Sequence, residues 1–228
     1  MIVLKNIAKF RSAGNGREAG LDGLDLTLGR GDFAVLTGPP GSGVAALLDI
    51  IGLLERPDSG SYELEGREIS GLRDAELARI RSRYFGFIFK SGMLLPELSV
   101  EDNVMLPMSL ANMPRHLRPR RARELLARVG LENRGSDRPL SLTETERRHA
   151  AIARALANDP GCLVADEPTA GLSAEDGGSI LRLLGDINRE GLTIVAALRD
   201  GDSAAVGGTT IRLENGRIES IVAGSGIR

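Results

Sequence analysis

A glycine-rich segment between a short apolar run and a helical pattern has the spacing of a phosphate-binding loop. Gly38, Gly41 and Gly43 let the backbone curl so that successive N–H groups converge, and the following helix directs its positive end at the same anion. A working loop of this kind continues with lysine and then serine or threonine, which contact phosphate and Mg²⁺. Val44 and Ala45 stand at those two positions. The segment is therefore either a decayed nucleotide site or a glycine turn that never was one.

Composition bounds the class of protein. The 228 residues are 42% apolar with a formal net charge of −2, typical of one globular domain with or without an inserted lobe. This charge balance does not favour nucleic acid or an anionic membrane as a partner. The single Cys162 excludes an internal disulfide, and the distant His116 and His149 disfavour a zinc site. No apolar run approaches the roughly 18–20 residues that span a bilayer, so a role at the membrane requires a partner.

Apolar strand patterns alternate with helical ones along the chain. The patterns predict strands at 1–11, 21–28, 33–37, 61–65, 84–89, 162–165 and 192–197, a hairpin at 209–222, and helices at 44–54, 73–83 and 174–190. A turn at Gly14, Asn15 and Gly16 joins the first two strands. Residues 91–157 have a helical pattern that prolines interrupt, which predicts a separate helical lobe. The five arginines at 115–123 indicate a solvated face rather than a phosphate or lipid contact. We expect a parallel sheet covered on both faces.

Several short sequence segments occur in the order in which they occur in one known family. They are residues 53–60, 85–89, 94–104, 151–156, 163–169 and 215–218. Together with the glycine loop, they make the chain resemble the nucleotide-binding subunit of an ABC transporter over nearly its whole length. The resemblance is greatest to the subgroup that serves lipoprotein release, macrolide export and the cell-division permease.

The resemblance implies an α/β fold and a set of partners. The expected fold is a P-loop (RecA-like) parallel-sheet core with an N-terminal antiparallel β subdomain, both within residues 1–90 and 158–228, and an inserted helical lobe at 91–157. All 228 residues would form a single nucleotide-binding domain. In the family, two subunits sandwich two ATP molecules, so a homodimer or heterodimer is expected. A membrane permease would dock near the stretch that begins at Ser91 and ends at Val104, which would hold the chain on the cytoplasmic face of the membrane.

The family's nucleotide-contacting positions can be assigned residue by residue. They are Phe10 for adenine, then Gly38, Pro39, Gly41, Ser42, Gly43, Val44 and Ala45 in the P-loop, and Lys90, Asp166 and Arg199 around it. Asp166 is the expected magnesium ligand and Glu167 the expected general base. As an alternative, Phe10 is an ordinary core residue.

Departures from the family pattern fall on the catalytic positions. Val44 replaces the P-loop lysine, Ala45 the magnesium serine, Lys90 the Q-loop glutamine and Arg199 the switch histidine. Ser173 replaces an aspartate of the loop after the carboxylate pair. The signature, in which the family has two glycines, reads Leu142, Thr143, Glu144, Thr145 and Glu146.

Three functional readings follow. The first is a catalytically silent cassette subunit, kept for its shape and its contacts with a permease, with weak or absent binding of ATP and Mg²⁺. The second is an active ATPase in which Lys90 or Arg199 supplies the missing cation. The third is an interaction module without a permease. The first is favoured because phosphoryl transfer depends on positioning and on neutralising phosphate charge, and each replacement weakens one of these.

The two new cations lead to a structural prediction. The family places the positions of Lys90 and Arg199 beside Asp166 and Glu167, and unpaired carboxylates at the end of a buried strand are costly. We expect Lys90 and Arg199 to form buried ion pairs with these carboxylates, replacing the metal and closing the pocket. Breaking such a pair would cost about 3–5 kcal/mol. The alternative is that Lys90 points into solvent.

Overall fold

The computed structural model describes residues 1–13, 16–199, 202 and 207–224. Gly14 and Asn15, which the sequence places in the first turn, lie outside the described residues. The strands are β1 (Ile2–Ala13), β2 (Gly16–Leu28), β3 (Phe33–Thr37), β4 (Ser59–Leu64), β5 (Arg67–Glu68), β6 (Phe85–Ile88), β7 (Cys162–Asp166), β8 (Thr193–Ala197), β9 (Thr209–Glu214) and β10 (Arg217–Val222). The α-helices are α1 (Val44–Ile51), α2 (Asp74–Tyr84), α3 (Val100–Leu110), α4 (Arg118–Arg128), α5 (Glu144–Ala155) and α6 (Ala174–Arg189).

A mainly parallel sheet forms the centre of the fold, in the order β10-β9-β3-β8-β7-β6. Strand β3 pairs in parallel with β8 and β9, while β10 is antiparallel at the edge. Successive residues of β3 face opposite sides. Phe33 and Val35 join the cluster that includes residues of α3, α4, α5 and α6, and Ala34 and Leu36 join the cluster that includes residues of α1 and of β1 and β2. The predicted parallel sheet with two covered faces is confirmed.

The antiparallel subdomain has the order β2-β1-β4-β5. In β2, Leu24, Leu26 and Leu28 are buried while Asp25 and Thr27 are exposed, as the alternating pattern predicts. The short strand β5 is absent from the sequence prediction because two residues are too few to show alternation.

One helix ends earlier than its apolar pattern suggests. The prediction continued α1 to residue 54, but the helix ends at Ile51 with Gly52 as its C-cap. Leu53 then takes a left-handed conformation with φ of 57°, which turns its side chain inward and leaves Leu54 exposed.

The inserted helices lie between β6 and β7, where the sequence predicts a helical lobe. Val100, Val104 and Met108 of α3 are fully buried in the same cluster as residues of α4 and α5. Asn103, also buried, donates its side-chain amide to the carbonyls of Leu95 and Ser99, which satisfies the polar group within the lobe. The division of the chain into a core and a lobe at residues 91 and 157 stays a prediction.

Candidate functional site

The glycine loop between β3 and α1 is built around close backbone contacts. Gly43 has φ of 103°, and a Cβ at this position would lie 2.4 Å from the carbonyl oxygen of Gly20. Glycine is thus required here on two independent grounds. Gly43 is also the N-cap of α1 and provides no capping side chain, and the first helical turn contains no acidic residue. The positive end of α1 is therefore left uncompensated within the loop.

Ser42 lies inside this loop with an unsatisfied hydroxyl. The residue is 4% exposed, and its Oγ has no hydrogen-bond partner among the described residues. Its backbone is fixed from two directions, since the Ser42 N–H donates to Pro39 and the Ser42 carbonyl accepts from Gly216. A buried hydroxyl without a partner is costly. A ligand oxygen in the loop would satisfy it.

A cavity of about 370 Å³ opens above the loop. Its lining comprises Gly38, Pro39, Pro40, Gly41, Ser42, Gly43, Val44, Ala45, Asp166, Glu167, Ala197, Leu198 and Arg199. The lining contains most of the residues that the family resemblance groups together, because the carboxyl ends of parallel strands β3, β7 and β8 meet at one edge of the sheet. Lys90, which the resemblance also places there, is not part of the lining. The cavity remains open, so the predicted closure of the pocket is wrong.

Phe10 does not belong to the lining of this cavity. It lies on β1, with nearly half of its surface exposed and its N–H donating to the Asp58 carboxylate at 2.7 Å. The alternative that Phe10 is a core residue is therefore wrong. Its role against an adenine ring stays a prediction.

Asp166 is the last residue of β7, and Glu167 follows it directly. Glu167 has a positive φ of 40°, and its N–H donates to the Ala197 carbonyl of β8 at 3.1 Å. Burial, and after it the charge of Glu167, raises the pKa of Asp166 above its ordinary value, while the charge of Lys90 acts in the opposite direction. The site therefore holds a carboxylate whose ionised form is disfavoured in the folded chain.

This shift gives a stability prediction for Asp166→Asn. A raised pKa in the folded state means that ionisation opposes folding, so the cost is absent at low pH and develops as the pH rises through the folded pKa. The neutral amide removes that cost, and we expect a higher melting temperature at pH 7. The gain should shrink towards zero as the pH falls to about 3.9, the ordinary value for aspartate.

Asp176→Asn is the matched control. Hydrogen bonds from Ser173 and Thr145 lower the pKa of Asp176, so its amide variant should melt at a lower temperature at pH 7. Thermal unfolding followed by circular dichroism across this pH range measures both effects. A lower melting temperature for Asp166→Asn at pH 7 would contradict the prediction.

Lys90 and Arg199 both approach Glu167. The Lys90 Nζ lies 2.9 Å from Glu167 Oε2, and an Arg199 guanidinium nitrogen lies 3.8 Å from the same oxygen. The predicted ion pairs are thereby confirmed, and the alternative of a solvent-directed Lys90 is wrong. The predicted burial is also wrong, because the Lys90 and Arg199 side chains are 55% and 71% exposed. A pair this exposed stabilises the fold by about 0–1 kcal/mol rather than by the amount expected of a buried pair.

The residues at this edge of the sheet do not fit Mg²⁺. Magnesium requires a near-octahedral set of oxygen ligands, and Ala45 offers no hydroxyl. An ammonium group has no lone pair to ligate a metal, yet Lys90 contacts the carboxylate that faces the loop. Among the described residues, no group of three or more histidine, cysteine, aspartate or glutamate side chains could hold a metal ion.

The signature segment begins α5 rather than forming a glycine turn. Thr143 is the N-cap and makes a capping box with Glu146, while Leu142 is buried. Glu144 contacts Arg147 at 2.6 Å and Arg148 at 3.2 Å. Sequence reasoning missed both arginines, although their spacing of three and four residues from Glu144 is the spacing of helical ion pairs.

Arg148 connects this helix to the loop after β7. It is almost fully buried and donates to the carbonyls of Pro168 and Ala170 at 3.1 and 3.0 Å. Burial lowers the pKa of Arg148, and the Glu144 carboxylate acts against that shift. The Glu144 charge is therefore compensated within its own chain.

A second cavity, of about 420 Å³, lies between the core and the inserted helices, and we name it the lobe groove. Its lining comprises Ala78, Arg81, Ser82, Phe85, Gly86, Phe87, Phe89, Met93, Leu106, Pro107, Leu110, Arg154, Ala155 and Asn158. The Phe87 and Phe89 rings stack at 5.8 Å, and Leu110 is 72% exposed. Of the predicted docking stretch from Ser91 to Val104, Met93 lines this groove. The sequence did not predict that residues of α3 beyond Val104 also line the groove.

The arginine-rich segment at 115–123 makes contacts within the chain. Arg120 pairs with Glu124, Arg121 with Asp159 and Arg123 with Glu101. Arg118 donates to the Met113 carbonyl and to the Ser109 hydroxyl. These contacts support the interpretation of the segment as a solvated face.

A glycine loop at the start of α1, a carboxylate pair at the end of β7 and helices inserted between β6 and β7 define an ATP-binding cassette. The chain belongs to the ABC transporter family, whose profile matches residues 21–170. An uncharacterized ABC transporter ATP-binding protein of Thermotoga maritima is 40% identical over 96% of this chain and 93% of its own length. The macrolide export ATP-binding/permease protein MacB of Rhodopseudomonas palustris is 40% identical over 94% of this chain.

Solved structures agree with this assignment. A bacterial ABC transporter cassette determined as a dimer has a TM-score of 0.89 at 35% identity, covering 98% of each chain. A dimeric post-hydrolysis cassette bound to ADP and Pi has a TM-score of 0.88 at 33% identity, again over 98% of each chain. The chain spans 33% of the length of the MacB relative. In the part of the chain that the structure describes, every helix is too short or too polar to cross a bilayer.

Proposed function

We propose that this chain is a catalytically silent cassette subunit that docks on a membrane permease. The observation that carries the proposal is the contact between the Lys90 ammonium and Glu167 Oε2 at 2.9 Å. In the family, Glu167 is the position of the general base. An ammonium group at this distance occupies one of the two carboxylate oxygens and competes with an attacking water for it.

The phosphate side of the cavity supports the same conclusion. Val44 provides no charge for the phosphates, and each lost charge-assisted contact is worth about 1.5–3 kcal/mol. Ala45 provides no hydroxyl, so the site has few groups that could neutralise the charge developing on a transferred phosphoryl group. The alternative of an active ATPase requires Lys90 or Arg199 to replace these groups while Glu167 stays available as the general base, but both cations contact Glu167.

The relatives and the lobe groove support a permease as the partner. MacB is named as an ATP-binding protein and permease in one chain, of which this chain matches 33% of the length. The apolar lobe groove, with Leu110 and the stacked Phe87 and Phe89, is a suitable receptor for a helix of such a permease. Docking there would hold the chain on the inner face of the membrane. The dimeric relatives support pairing with a second cassette, either another copy or an active one.

Steady-state turnover tests the catalytic part of the proposal. The purified chain is expected to release phosphate from ATP no faster than a heat-denatured sample of the same preparation. Phosphoryl-transfer enzymes such as kinases turn over at roughly 1–100 s⁻¹. A rate in that range, abolished by Glu167→Gln, would overturn catalytic silence and favour the displaced-cation alternative.

A further inference from the structure

We infer that the cavity above the glycine loop binds a nucleoside triphosphate without a divalent cation, with Lys90 and Arg199 supplying the positive charge. This inference rests on the proposed function, because it assigns a ligand to a cassette that does not hydrolyse it. It differs from the family pattern in the absence of Mg²⁺, because the residues at the site do not fit that ion.

The loop retains the features that attract an anion. Gly43 leaves the end of α1 without a capping side chain, so the first N–H groups of the helix face the cavity lining. Ser42, buried in the same lining, keeps an Oγ without a hydrogen-bond partner among the described residues. A phosphate oxygen would accept from this hydroxyl and from the backbone N–H groups together, which removes the cost of burying the hydroxyl.

The cations compensate the carboxylates in the way that a divalent ion would. Asp166 and Glu167 carry two formal negative charges when both are ionised, and Lys90 and Arg199 carry two positive charges. The Lys90 Nζ lies 2.9 Å from Glu167 Oε2, but no hydrogen bond joins the two groups and the Lys90 side chain is more than half exposed, so its N–H groups can donate to a phosphate. Arg199 lies 3.8 Å from the same oxygen, is mostly exposed and lines the cavity itself. Its planar guanidinium can donate to two phosphate oxygens.

A metal ion would compete with this arrangement. Mg²⁺ bound to ATP would bring two further positive charges towards Lys90 and Arg199, while Ala45 would offer it no ligand. Excess Mg²⁺ should therefore weaken binding or leave it unchanged, which is opposite to its effect on a magnesium-dependent site.

Isothermal titration calorimetry of the full chain with ATP tests the inference. Titrations are made in EDTA and in excess MgCl₂ at the same ionic strength. We expect binding in EDTA that is at least as tight as binding in MgCl₂. Affinity more than about tenfold tighter in MgCl₂, or no binding in either buffer, would overturn the inference.

Two variants identify the source of the charge. Lys90→Gln and Arg199→Gln should each weaken binding in EDTA by about tenfold, the loss expected for one charge-assisted contact. Lys5→Gln, which removes an exposed lysine outside the cavity, should leave binding unchanged. Unfolding curves without nucleotide establish that all three variants are folded. Equal losses in all three variants, or no loss in the first two, would also overturn the inference.

Phosphate release is recorded in the same samples. Hydrolysis would overturn the proposed function, because the cassette would then be active. Absence of binding without hydrolysis would overturn the inference and leave catalytic silence standing. The two failures are therefore distinguishable.

Discussion

Replacing Leu110 by aspartate is expected to release this chain from the membrane of the cell that produces it. Leu110 stands 72% exposed at the end of α3 and lines the lobe groove. If a permease helix covers this groove, aspartate would place an unpaired carboxylate in an apolar interface. Substitution of a central interface residue costs about 2 kcal/mol or more of binding free energy, which is roughly a thirtyfold loss of affinity.

The measurement is the share of tagged chain that sediments with the membranes after cell disruption. Leu117→Asp is the matched control, because Leu117 is also exposed but lies at the N-cap of α4 outside the lobe groove, where aspartate is well tolerated. It should sediment like the wild type. If the Leu110→Asp chain sediments to the same extent, the lobe groove is not the docking surface.

Rebuilding the catalytic positions together is expected to raise ATP turnover by about a hundredfold or more, since one misplaced electrostatic group alone costs about that much. The rebuilt chain carries Val44→Lys, Ala45→Ser, Lys90→Gln, Glu144→Gly, Thr145→Gly and Arg199→His. Val44→Lys alone should stay at background, because Ala45 would still offer no magnesium ligand and Lys90 would still hold Glu167.

Glu167→Gln in the rebuilt chain is the control, because it removes the expected general base and should return turnover to background. Phosphate release at saturating ATP measures all of these chains. A rebuilt chain that is folded and binds ATP but remains at background would show that catalytic silence originates outside these six positions.

The sequence was sufficient to predict the features that short sequence patterns determine. The strands and the glycine loop follow from apolar runs and from the glycine spacing, and the family resemblance placed Asp166 and Glu167 beside the loop. The contact of Lys90 with Glu167 was also predictable, because a family pattern placed both positions in one pocket.

Features that depend on packing were beyond the sequence. The burial of the Lys90–Glu167 pair was overestimated, since exposure depends on which side chains cover the pair. Leu54 fits the apolar periodicity of α1, yet the left-handed Leu53 turns it out of the helix. Leu110 resembles any other helical leucine until its exposure is known. Helical position makes Arg148 a partner of Glu144, but its contacts with Pro168 and Ala170 arise from tertiary structure.

The pairing of β3 has a consequence for biosynthesis. This strand precedes the glycine loop, yet both of its neighbours in the sheet, β8 and β9, come much later in the chain. A ribosome adding about 5–20 residues per second completes β9 roughly 10–35 s after β3. During that interval a strand that is apolar except for Thr37 lacks its partners, so the nascent chain exposes aggregation-prone surface, and the cavity above the glycine loop cannot assemble until β8 has been translated.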